Sequence, residues 1–184
     1  MKARAARSIC TALLAALLFP AFAHAFTANN LCTAVRVSDI AMLLGETPPS
    51  PISSGPAADD DHPAAIATSC RYEGKARVFA MMLLDFKTVG ESTAALKHDI
   101  DAVKASGDAK ITAVSSSGLG DDAYLATEQS SATYISRKGP RLIAIGVAGE
   151  TAAVPNLTSV LLKIAQSAIA RLPAPTAKPE PSAN

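Results

Sequence analysis

Asp59-Asp60-Asp61-His62 is the densest set of metal-ligand groups in this 184-residue chain. Carboxylate oxygens suit hard cations, and an imidazole adds zinc or manganese chemistry. Asp59, Asp61 and His62 are therefore the candidate metal ligands. A cation held there could activate water, which would make the chain a metal-dependent envelope hydrolase. Adjacent residues, however, do not naturally point at one centre. Calcium loops alternate their ligands and bend at a glycine, and this run does neither. The plainer reading is a solvated, charged loop.

Other chemistry is sparse. Two histidines follow the first 25 residues, His62 and His98, and His98 falls beside Lys97 on the polar side of a predicted helix. A Ser-His-Asp arrangement would need one of them beside an activated serine. There is no G-x-S-x-G, and Ser115-Ser116-Ser117-Gly118 reads as a flexible approach to a turn. Gly118-Leu119-Gly120 lacks the helix and lysine of a phosphate loop, and acidic Asp121-Asp122 follows it. It reads as a tight turn with Tyr124 packed behind it. No catalytic residue and no cofactor is assigned. Arg137, Lys138 and Arg141 gather at a predicted hairpin tip, a candidate contact for an acidic partner or simply a solubilising tip.

The N-terminus carries a compartment signal. Lys2, Arg4 and Arg7 precede the apolar run from Ile9 to Phe19, and Ala23-His24-Ala25 supplies an A-x-A site. This is the three-part pattern of a secretory signal peptide over residues 1–25. Cys10 is lost with it, leaving Cys32 and Cys70. An even pair in an oxidising compartment predicts one disulfide, closing a loop of about 40 residues worth about 4 kcal/mol in the chain-entropy model. Their spacing is unlike CxxC, which argues against a redox or metal pair. A lipobox cysteine is absent, so a periplasmic or secreted protein without a stable membrane anchor is expected. The net charge of +1 turns mildly acidic once the basic leader is gone, which does not favour nucleic acid as a partner.

The elements that must position these groups follow from periodicity. Val37 to Gly45 reads as a short helix, with Ser38 as its cap and Gly45 as its stop. Glu46 to Pro63 holds Pro48, Pro49, Pro51, Pro56 and Pro63 and predicts a mobile loop. Thr68–Glu73 and Arg77–Phe86 are strands. Val78, Ala80, Met82, Leu84 and Phe86 line one face of the second; Phe79, Met81 and Leu83 line the other. A strand apolar on both faces is covered on both sides. Glu91–Ser106 is a helix on Leu96, Ile100 and Val103, stopped by Gly107. Ile111–Val114, Ala123–Thr127, Thr133–Arg137 and Arg141–Val147 are strands. A last helix repeats Leu157, Leu161, Ile164, Ala168 and Leu172, with Asn156 or Thr158 at its start and Pro173 at its end. The chain thus divides into a leader (1–25), one α+β domain (26–173) and a proline-rich tail (174–184) expected to be disordered.

In this order, α-β-β-α-β-β-β-β-α, the chain resembles a family of small secreted or lipid-anchored bacterial domains of unknown function with a PsbP-like α-β-α sandwich. The residues that carry the likeness are Cys32 ahead of Val37-Ser38-Asp39-Ile40-Ala41-Met42-Leu43-Leu44-Gly45, then Ser69-Cys70-Arg71-Tyr72, then Gly118-Leu119-Gly120-Asp121-Asp122-Ala123-Tyr124. The resemblance spans about Leu31 to Leu172. It implies an antiparallel sheet with helices on both sides, no catalytic residues, and a binding or accessory role at the envelope. The lipid anchor of many members is not carried over.

The expectation is a non-enzymatic domain that binds an envelope protein or a small ligand. Its groove is expected between sheet and helix, rimmed by loops such as Glu46 to Pro63.

Overall fold

The structure, a computed structural model, describes residues 31–172 apart from 49, 116 and 117. The leader pattern with Cys10 and the tail from 174 lie outside the described residues. Among the described residues, three helices and seven strands follow one another as α1 (Val37–Leu44), β1 (Ile52–Ala58), β2 (Ile66–Glu73), β3 (Arg77–Asp85), α2 (Val89–Ser106), β4 (Lys110–Ala113), β5 (Asp122–Thr127), β6 (Ser131–Lys138), β7 (Arg141–Gly149) and α3 (Leu157–Ala170). Short 3₁₀ turns at Leu31–Ala34 and Thr151–Ala153 flank them.

The strands form one antiparallel sheet in the order β1-β2-β3-β7-β6-β5-β4. The chain runs inward along β1, β2 and β3, crosses to the far edge through α2, and returns along β4 to β7 until β7 meets β3. The strand that reads apolar on both faces is central for that reason. Phe79, Met81 and Leu83 pack on one face with Leu43, Tyr72, Tyr134, Leu161 and Ile164. Leu84 and Phe86 pack on the other with Ala95, Leu96 and Ile100. Helices α1 and α3 therefore cover one face and α2 the other, giving an α+β fold with an antiparallel sheet flanked by helices.

Cys32 and Cys70 are both buried and form a disulfide that ties the first 3₁₀ turn to the middle of β2. Helices α1 and α2 stop where the sequence places glycine, Gly45 and Gly107, both with a φ of 75°. Helix starts differ more. α1 begins at Val37 behind Arg36, with no side-chain cap, rather than behind Ser38. α2 begins at Val89, because Thr88 and Glu91 form a capping box. Asn156 starts α3, but through its backbone (φ 53°) and with no side-chain cap.

The expected mobile loop from Glu46 to Pro63 is corrected. Ile52–Ala58 is a strand, paired with β2 from Ile52↔Arg71 to Ala58↔Ile66. It has no hydrophobic alternation because an edge strand is held mainly by backbone bonds to one neighbour. The register shifts between Ser54 and Ala57, the interval containing Gly55 and Pro56. A proline cannot donate to a ladder, and edges and bulges are where sheets tolerate it.

Candidate functional site

The Asp59–His62 run is not the solvated loop its composition implies. It turns back over α2. Asp59 accepts the backbone N–H of His62 through Oδ1 at 2.8 Å. The His62 ring lies 3.0 Å (Nε2 to Oδ1) from the Asp99 carboxylate, and the two side chains are only 10% and 11% exposed. Its edge meets Phe86 with ring centroids 6.0 Å apart. The hydrogen bond to Asp99 raises the pKa of His62; burial opposes this, and the charges of Asp99, Asp59 and Asp61 add to it. His98 sits above the pair, its ring centroid 6.0 Å from that of His62, with its side chain exposed.

The same geometry separates the three candidate metal ligands. Asp59, Asp61 and His62 do not converge. Asp59 is turned to the local backbone, Asp61 is exposed, and His62 reaches a different carboxylate. Among the described residues, no three His, Cys, Asp or Glu side chains are grouped so that they could hold a metal ion. Asp99 is the residue that sequence reading missed. A signal was present: Asp99 is three residues after Leu96 and four before Val103, on the apolar stripe of α2. A buried carboxylate needs a partner; the neighbouring His98 reaches the same oxygen only at 3.5 Å (Nδ1 to Oδ1), and the closer partner, His62, is distant in sequence.

At the basic hairpin tip, Arg137 and Arg141 already have carboxylate partners within the molecule. Arg137 Nη1 lies 2.9 Å from Asp121 Oδ2 and Nη2 lies 2.7 Å from Asp122 Oδ2. Arg141 Nε donates to Asp85 Oδ1 at 2.6 Å, joining the paired ends of β7 and β3, and Arg141 is buried. Two of the three cations are thus spent inside the molecule. Lys138 remains exposed.

The glycine turn is anchored by several contacts to the core and to β6. Gly118 and Gly120 both have positive φ, 86° and 101°. They frame Leu119, whose side chain is 1% exposed and joins the core under α3. Its carbonyl accepts hydrogen bonds from the buried hydroxyls of Tyr134, at 3.2 Å, and Ser136. Burial pushes the pKa of Tyr134 up to about 12, so that hydroxyl stays a donor. A Cβ on Gly120 would strike the Arg137 carbonyl oxygen and lie 2.6 Å from Ser136 Oγ. Asp121 donates its backbone N–H to that same Arg137 carbonyl at 2.7 Å. The Gly-Leu-Gly-Asp-Asp sequence is therefore a clasp that locks the β4–β5 connection onto β6.

Beside the clasp lies a concavity of about 310 Å³, lined by Ala113, Val114, Ser115, Leu119 to Tyr124. The groove was expected at the Glu46 to Pro63 segment; this one lies at the β4 end of the sheet. Two carboxylates, Asp121 and Asp122, face one guanidinium, Arg137, so the rim carries an excess negative charge. Tyr124 adds a half-buried aromatic ring. Among the described residues, no helix is long and apolar enough to cross a membrane.

No family model matches this chain, and no curated protein matches it. Among solved structures it is similar to the extracellular domain of PknH from Mycobacterium tuberculosis, with a TM-score of 0.46 and 11% identity over 74% of this chain and 93% of that one. Likeness at that level assigns neither a family nor an activity.

Proposed function

We propose that this chain is a non-enzymatic binding domain of the periplasm or the secreted space, and that its partner protein or small ligand seats at the concavity beside the glycine clasp. The observation that carries this reading is the concavity itself. It is an acidic recess beside a turn that three core contacts anchor: Leu119, Tyr134 and Ser136. Preformed recesses with a few placed polar groups are the usual form of a binding site. The leader pattern and the buried disulfide support an oxidising compartment outside the cytoplasm. The resemblance to small envelope domains without catalytic residues supports a binding role.

Native mass spectrometry of the protein, purified gently from its own periplasm or medium, tests this. A bound mass on the parent chain, absent from a Ser115→Trp variant of unchanged melting temperature, is the expected result. Ser115 is exposed at the recess, so its indole would fill it without entering the core. A bare parent chain, or a bound mass that survives the substitution, would overturn the assignment of this site.

A further inference from the structure

The two edges of the sheet are unequal. β1 carries Gly55 and Pro56 and breaks register with its neighbour, features that discourage a further strand. β4 has neither, and Lys110, Thr112 and Ala113 are exposed. Its outward backbone can be read from the ladder. Val114 donates its N–H to Ala123 at 2.9 Å, so Val114 faces β5. Backbone direction alternates along an antiparallel strand. Ile111 and Ala113 therefore turn their N–H and C=O groups away from β5, at the position where the sheet ends among the described residues. The recess begins where this edge ends, since Ala113, Val114 and Ser115 form its wall.

Resting on the binding reading above, we infer that the occupant is an extended peptide segment of a partner protein, added as an eighth strand along β4, with a lysine or arginine side chain in the recess. Strand addition draws affinity from main-chain bonds and specificity from pockets for alternate side chains. The outward groups of Ile111 and Ala113 supply the first. The recess supplies the second, and its charge selects the residue: Asp121 and Asp122 together exceed the single charge of Arg137. An acidic side chain would meet two carboxylates there.

The test uses the full chain, isotope-labelled for NMR, and a blocked peptide of alternating valine and threonine with one central lysine. Two further probes are the same peptide with glutamate for lysine, and with alternate backbone nitrogens methylated. The expected result is shifts at residues 111–115 and 119–124, with hydrogen-exchange protection appearing at the Ile111 and Ala113 amides. The glutamate peptide should bind about tenfold more weakly or worse, and the methylated peptide should not bind. Ala113→Pro removes one outward N–H without breaking the β5 ladder and should abolish protection while leaving the rest of the spectrum in place. If that variant misfolds, the methylated peptide still decides the question. Shifts confined to 119–124 without amide protection would overturn strand addition but leave a ligand in the recess. No shift anywhere would overturn strand addition and remove support from the recess. Equal binding of lysine and glutamate peptides would overturn the charge selection. Protection of Ile111 and Ala113 before any peptide is added would show the edge already covered, and would also overturn the proposal.

Discussion

Two polar connections of this domain, Asp59–His62 and Gly118–Asp122, look alike in composition and are held in opposite ways. The first rests on α2 through a titratable pair, His62 and Asp99. The second is held by shape: a buried leucine, a carbonyl receiving two buried hydroxyls, and a glycine pressed on the β6 backbone. The leucine, hydroxyl and glycine contacts of the clasp involve no group that titrates near neutral pH, although Asp121 and Asp122 beside them pair with Arg137. A His–carboxylate contact changes strength with protonation, so the two connections should respond differently to acid and to substitution.

The largest separation between them should come from the disulfide. Cys32 and Cys70 are 38 residues apart and enclose the His62 connection but not the clasp. Replacing both cysteines by serine should cost about 4 kcal/mol of unfolding free energy. Hydrogen exchange should then rise most between residues 32 and 70. Equal loosening of the clasp would show that the two connections are one cooperative unit. Chemical denaturation, read with exchange mass spectrometry, measures both.

Gly120→Ala attacks the clasp directly. The added methyl collides with backbone at a φ of 101°, a conformation L residues rarely adopt. A loss of about 3 kcal/mol is expected, together with loss of binding in the recess. A variant with parent-like stability on denaturant unfolding would show that the β4–β5 connection can move aside, and the steric account would fail.

His62→Ala should have the smallest effect, and a pH-dependent one. The pKa of His62 is raised in the folded chain above its ordinary 6.5. The stabilisation is therefore fully present below pH 6.5 and is lost as pH rises through the folded value. The variant should be about 1–2 kcal/mol less stable at pH 5.5 and closer to the parent at pH 9. Urea denaturation across that range is the measurement. A difference that grows with pH would mean that the ring binds in its neutral form.

The chemistry legible in the sequence was the chemistry that repeats locally. Leu96, Ile100 and Val103 mark one face of α2, and the alternation from Val78 to Phe86 marks a strand covered on both sides. The disulfide followed from having two cysteines in an oxidising setting. The candidate sites are less legible, because a sequence shows them only as isolated clusters. Asp59, Asp61 and His62 resembled ligands for one another, and Arg137 and Arg141 resembled cations awaiting a partner. Three of them have intramolecular partners that local pattern does not reveal: His62 meets Asp99 across 37 positions, Arg141 meets Asp85 across 56, and Arg137 meets Asp122 across 15.

By itself, then, the sequence determined the α+β class, the placement of the helices, the central strand and the cysteine pairing. Hydrophobic periodicity and residue count act over a few positions or through composition alone. Only the tertiary structure decided that Ile52–Ala58 is a strand, that His62 bonds to Asp99, and that a recess opens at the end of β4. Each of these depends on a second segment brought alongside by the sheet, and backbone pairing, ion pairing and concavity leave no periodic trace in either segment alone.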